Sequence, residues 1–180
     1  LANNQIRNNI IVNTRKGFSF YNYASCSGLK NTVIEHNTVI NTWDESIRIL
    51  SGNHYGSVFR NNIFYPRQGK VMTFESPGNT KLTNNLFYFP GGSSSGQFSW
   101  NGTTYDFNSW SQVSANISGN LWQDPQFVDR LGLSAESKRL ISGSLAIDRA
   151  VSTNVLQDFW QNVRPVDGNL DGVVNSDIGA

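Results

Sequence analysis

A column of asparagines constrains the fold of this chain more than any other feature. Asn4 to Asn13 (NQIRNNIIVN), Thr32 to Asn41 (TVIEHNTVIN), Ser57 to Pro66 (SVFRNNIFYP) and Thr80 to Phe89 (TKLTNNLFYF) align without gaps, and a weaker unit, Ile117 to Trp122 (ISGNLW), follows. The alignment puts Asn9, Asn37, Asn62, Asn85 and Asn120 in one column at intervals of 28, 25, 23 and 35 residues, which is the spacing of solenoid coils. An apolar residue stands three places before each Asn (Ile6, Ile34, Phe59, Leu82, Ile117), and another stands two places after it (Ile11, Val39, Phe64, Phe87, Trp122). Each unit therefore reads as strand, tight turn, strand.

A third strand per unit follows a loop and alternates at period two: Gly17 to Phe20, Ser46 to Ile49, Val71 to Phe74 and Gln97 to Trp100. Phe18, Ile47, Met72 and Phe98 point inward, with Phe20, Ile49, Phe74 and Trp100 beside them. Three short strands per coil predict an all-β chain, a single-stranded parallel β-helix of four to five coils. An Asn tolerates the left-handed backbone that a sharp turn needs. Stacked at ~4.8 Å, identical amides also bond in a ladder. The five asparagines are thus read as scaffold. So is the neighbouring outward column Arg7, Glu35, Arg60 and Thr83, where opposite charges on adjacent strands attract by about 0.2–1 kcal/mol a pair.

The longest interval holds an excursion from Pro90 to Asn116, opening on Gly91, Gly92 and serines that mark a loop. It carries Phe98, Trp100, Tyr105, Phe107 and Trp110, and aromatics of this size are expected to pack over the last coils rather than form a sugar platform. Coils occupy 1–129, including the 90–116 insertion, and 130–180 is a closing segment of the same domain.

After Asn120 the period gives way to Asp124-Pro125-Gln126-Phe127, Ser144-Leu145-Ala146-Ile147-Asp148, Arg164-Pro165 and Asp177-Ile178-Gly179-Ala180. This series resembles the C-terminal end of secreted bacterial right-handed β-helix proteins of the pectate-lyase-like superfamily, with Leu145 where that family often has Pro. The resemblance covers nearly the whole chain. It implies a right-handed solenoid, a secreted or cell-surface location and work on polysaccharide, by lyase-like or hydrolase-like chemistry. The same superfamily contains adhesins, and a noncatalytic glycan-binding, adhesive or filament-forming solenoid is the competing expectation. Catalytic members usually have around ten coils, so the chain looks like the end of a longer solenoid. Its first coil would expose Ile6, Ile11, Phe18 and Phe20, and solenoids need caps. An N-terminal portion, another chain or a second copy is expected there.

In the enzymes of this fold, substrate lies along the outside of the sheet after the long loop. The matching outward residues are Ser19, Arg48, Thr73 and Ser99, then Tyr21, Leu50, Glu75 and Asn101. Lyase chemistry needs a cation beside the uronate carboxylate and a base for the C5 proton, and Arg48 suits either role. Hydrolysis needs paired carboxylates, for which Asp44, Glu45 and Glu75 are the nearest supply. Arg48 and Glu75 are the catalytic candidates, while Tyr21, Glu45, Lys70 and Trp100 are the substrate-binding ones. Lys16, Arg67 and Lys70 suit an acidic glycan. His36 and His54 stand apart from other ligand types and read as structural.

Asp167, Asn169 and Asp171 occupy positions 1, 3 and 5 of a calcium-loop pattern, with Gly172 at 6 and Asn175 at 9 but Ile178 in place of the acid at 12. Calcium is the one cofactor to look for, although the solenoid's ending explains the same segment. Composition narrows the partners. Of 180 residues, 38% are hydrophobic and 12% aromatic, enough for a sizeable core. Fourteen basic against thirteen acidic residues give a net charge of +1, without the single-sign field that nucleic acid rewards. No apolar run approaches the ~20 residues of a membrane span, so no membrane insertion is expected. Cys26 is the only cysteine, which rules out an intrachain disulfide.

Overall fold

A computed structural model describes residues 2–21, 28–95 and 97–180; Cys26 lies outside them. The chain folds as a parallel β-solenoid. Strands β1 (Gln5–Arg7), β2 (Ile10–Val12) and β3 (Lys16–Phe20) make one turn of it, and β4 (Val33–Glu35), β5 (Thr38–Ile40) and β6 (Glu45–Ile49) the next. They are followed by β7 (Val58–Arg60), β8 (Ile63–Tyr65) and β9 (Lys70–Phe74), then β10 (Lys81–Thr83), β11 (Leu86–Phe87) and β12 (Phe98–Trp100). Then come β13 (Thr103–Tyr105), helix α1 (Phe107–Trp110), β14 (Ile117–Ser118) and β15 (Leu121–Trp122). The three five-stranded sheets run β1-β4-β7-β10-β14, β2-β5-β8-β11-β15 and β3-β6-β9-β12-β13.

Columns aligned in sequence are columns stacked in space. Ile6, Ile34, Phe59, Leu82 and Ile117 lie in register across the first sheet. Ile11, Val39, Phe64, Phe87 and Trp122 do so across the second, and Phe18, Ile47, Met72 and Phe98 across the third. The inward rings meet between coils; Phe64 stacks on Phe87 with centroids 5.4 Å apart. At the first coil Ile6, Ile11 and Phe18 are half-buried and Phe20 is buried.

Turn and ladder fall to two adjacent columns rather than one. The left-handed residues of this turn are Asn8, His36, Asn61, Asn84 and Gly119, with φ between 51° and 64°. Each directly precedes a ladder Asn, whose backbone N–H and side chain then both face the next coil. Asn37 donates to Asn62 Oδ1 from its N–H at 3.0 Å and from Nδ2 at 2.9 Å, and Asn62 repeats this on Asn85 at 3.1 and 2.8 Å.

The insertion closes one end of the core. Strand β13 folds back antiparallel on β12. Asp106 caps α1 by accepting from the Ser109 N–H at 2.7 Å, as a short polar side chain does at a helix start. Trp110 then stacks on Phe98, centroids 4.5 Å apart. Phe98, Trp100, Phe107 and Trp110 are all buried, so the aromatics pack as expected.

The third sheet carries an irregularity that strict alternation misses. Its register passes from Lys16↔Glu45 to Phe18↔Ile47, and Ser46 and Ile47 are both fully buried, as are Val71 and Met72 one coil on. A Cβ on Gly17 would sit 2.4 Å from Val39 Cγ1, so only glycine fits there. Two successive inward residues put Glu45 on the same outer side as Arg48, as a bulge does.

Residues 123–180 cover the outside of the second sheet. Ala146, Ala150 and Ile178 pack on Ile63 and Leu86. Gly179, at φ 104°, lies so close that an added Cβ would be 2.8 Å from Ile63 Cδ1. Buried Arg164 reaches in to donate to His36 Nδ1 and, at 2.9 Å, to the Gly179 carbonyl.

Candidate functional site

With the second sheet covered, the outer face of the third sheet offers an ordered polar surface. Glu45 lies at its centre, nearly inaccessible to solvent. It accepts from Arg48 Nη1 at 3.0 and 3.1 Å, and the Thr73 hydroxyl of the next coil donates to Oε1. Arg48 Nη2 also lies 3.9 Å from Glu75, which accepts from both the N–H and the hydroxyl of Ser51 at 3.0 Å. At the other edge Lys16 pairs with Asp44 at 2.7 Å and Arg15 with the same carboxylate at 3.3 Å.

The contacts of Asp44, Lys16 and Arg48 favour their charged forms. The Lys16 hydrogen bond and charge keep the Asp44 carboxyl below the usual carboxylate range, and Asp44, aided by the Tyr21 hydroxyl, raises Lys16. Glu45 likewise raises Arg48. A general acid or base needs a proton affinity near the working pH, and these three groups move the opposite way.

The structure brings Arg48, Glu75, Glu45, Lys70 and Tyr21 to this one face. Lys70 is paired in register with Glu45, and neither it nor exposed Arg67 has an ion-pair partner among the described residues. Trp100 does not join them. It is 7% exposed, against Phe74 at 5.3 Å, because it points inward with the core column of its strand. Thr73 and Ser99 are covered and Ser19 is exposed. Trp43, which the repeat pattern passes over, lies in the turn into β6 and is 50% exposed, and Tyr21 is 39% exposed. Trp43 precedes the aligned strand and belongs to no column, so only its place beside Asp44 signals it.

Both histidines are structural. His54 Nδ1 accepts from the Leu29 N–H at 2.9 Å, and its Nε2 lies 2.7 Å from the Leu50 carbonyl. His36 is buried against Arg164, and burial followed by that positive charge lowers its pKa to about 3.

A cavity of about 460 Å³ lies between the second sheet and the closing segment, lined in part by Arg139, Asp158, Trp160 and Arg164. Elsewhere in that segment Asp167 and Asp171 lie close together, and the carboxylate that joins them is Asp148. Asn169 Oδ1 accepts from the Asp171 N–H at 3.0 Å instead, and Ile178, at the position of the missing acid, is buried in the second-sheet cluster. No family model, no characterised protein and no solved structure matches this chain, so its function is argued from the fold and these surfaces.

Proposed function

We propose that this chain is a polysaccharide-binding β-solenoid module, extracellular in kind, that takes a carboxylate-bearing glycan along the outer face of its third sheet. The observation that carries this reading is the array itself. A stiff sheet presents fixed ion pairs at successive coils, flanked by the exposed rings of Tyr21 and Trp43. A regular polymer suits such a surface. Its acidic groups meet Lys70 and Arg67, which have no ion-pair partner among the described residues, and its apolar sugar faces rest on the rings. Binding fits this face better than lyase or hydrolase chemistry because Arg48 is committed to Glu45 and Glu75 rather than free to take a proton. The closing elements, which resemble those of right-handed pectate-lyase-like solenoids, support a secreted or surface location.

The test is affinity electrophoresis of the chain through acidic and neutral polysaccharides, with 235 nm absorbance followed for unsaturated uronates. Retardation by an acidic polysaccharide is expected, weakened about three- to tenfold by Trp43→Ala and by raised salt. Free migration through every acidic polysaccharide contradicts the reading. A growing 235 nm signal that Arg48→Ala abolishes replaces binding with catalysis.

A further inference from the structure

Asp148 is the residue hardest to explain without a ligand. It is 8% exposed and left-handed at φ 58°. One carboxylate oxygen accepts from the Asn175 N–H at 3.2 Å, while Oδ2, shut off from solvent, has no hydrogen-bond partner among the described residues. Buried carboxylate oxygens without partners are costly and rare. Asp167 and Asp171 make the position worse, since one carboxylate oxygen from each of the three residues lies within 4.8 Å of the others. Among the described residues no Lys, Arg or His forms an ion pair with any of them. Three carboxylates gathered so closely repel unless a cation joins them.

The 167–173 loop is already shaped. The Asp167 carboxylate accepts from the N–H groups of Asp171 at 3.1 Å and Gly172 at 2.9 Å, and Asp171 accepts from that of Val173 at 2.9 Å. Each oxygen keeps a second lone pair for a metal. The donors are all oxygen, which suits a hard cation and not zinc or copper. Calcium takes six to eight oxygens at about 2.3–2.6 Å, so oxygens sharing one ion lie up to about 5 Å apart. The three carboxylates fit that span. A cavity of about 350 Å³ bordered by Asp148, Asn169 and Asp171 leaves room for water to complete the shell.

We propose that Asp148, Asp167 and Asp171 bind one calcium ion, which pins the 167–173 loop to the turn carrying Asp148. The ion is structural and independent of whatever the third sheet binds. Asp148 also donates its N–H to Asp177 at 3.0 Å, and its carbonyl accepts from Asn175 Nδ2 at 3.1 Å. The next residues dock on the solenoid, the Gly179 N–H donating to the Asn61 carbonyl at 2.9 Å. Calcium thereby fixes the closing segment against the second sheet.

Titrating the EDTA-stripped chain with calcium chloride in a calorimeter, and melting it with and without calcium, tests this directly. One ion per chain is expected, with melting raised by about 5–10 °C at a free concentration a hundred times Kd. Asp171→Asn and Asp167→Asn each weaken binding at least tenfold while leaving the melting temperature in EDTA within a degree or two, and Asp148→Asn abolishes binding. Should Asp148→Asn fail to fold, the two loop variants decide. Absence of heat and of any shift in the wild-type chain overturns the proposal, as do loop variants that bind like wild type or an equal shift from magnesium alone.

Discussion

Asn62 occupies the middle of the ladder, and its amide serves five bonds. It accepts from the Asn37 N–H and Nδ2, and it donates to Asn85 and to the carbonyls of Ile34 and Arg60. Alanine there strands buried donors and acceptors, so Asn62→Ala should cost roughly 2–4 kcal/mol in urea unfolding. Asn9, at the open end, donates to Asn37 and the Arg7 carbonyl, partly in solvent, and Asn9→Ala should cost less than about 1.5 kcal/mol. His36 makes a pH prediction. Its ordinary pKa is 6.5 and burial beside Arg164 lowers it to about 3, so below pH 6.5 the unfolded chain takes up a proton that the folded chain refuses. Its contribution is complete above that value and is lost as pH falls toward 3, by up to about 1.4 kcal/mol per unit. Asp177, whose carboxyl burial raises, has the opposite sign and favours the fold in acid. Urea midpoints should therefore fall between pH 7.5 and 5, and His36→Asn, which restores the Asn of neighbouring coils, should flatten that slope. The ladder was legible because it repeats in sequence; the His36 environment was not, because Arg164 lies 128 residues away.

Among the elements, the β12–β13–α1 insertion depends most on a single residue. Trp110 is fully buried against Phe87 and Phe98, yet its indole N–H has no partner among the described residues. Trp110→Ala should cost about 3–5 kcal/mol by leaving a cavity under the cap. Trp110→Phe should cost less than about 1.5 kcal/mol, since it keeps much of the ring contact and removes the stranded donor. Equal losses by thermal melting would show that the ring does not cap the core. The third strands were legible to within a residue because inward apolar residues recur at period two. Placement of Glu45 was not, since the bulge appears only once Gly17 is seen against Val39. The inward column that includes Trp100 also leaves that ring no outer surface for a sugar.

Across the whole molecule, one sheet is covered and another is open. The closing segment fills the second sheet's outer side through Ala146, Ala150 and Ile178, leaving the ion pairs of the third sheet facing outward. Coils are built from neighbours and show themselves in local pattern, whereas closure joins residues far apart in the chain. For that reason the closing elements stand out in the sequence as breaks in the repeat, but their roles do not: Asp148 among the acids, Arg164 on His36, Gly179 against Ile63. Amide hydrogen exchange, with and without the acidic polysaccharide that retards the chain most, tests the central claim most directly. Protection confined to β3, β6, β9 and the Trp43 turn is the predicted result; protection of the closing segment, with the third sheet unchanged, would contradict it.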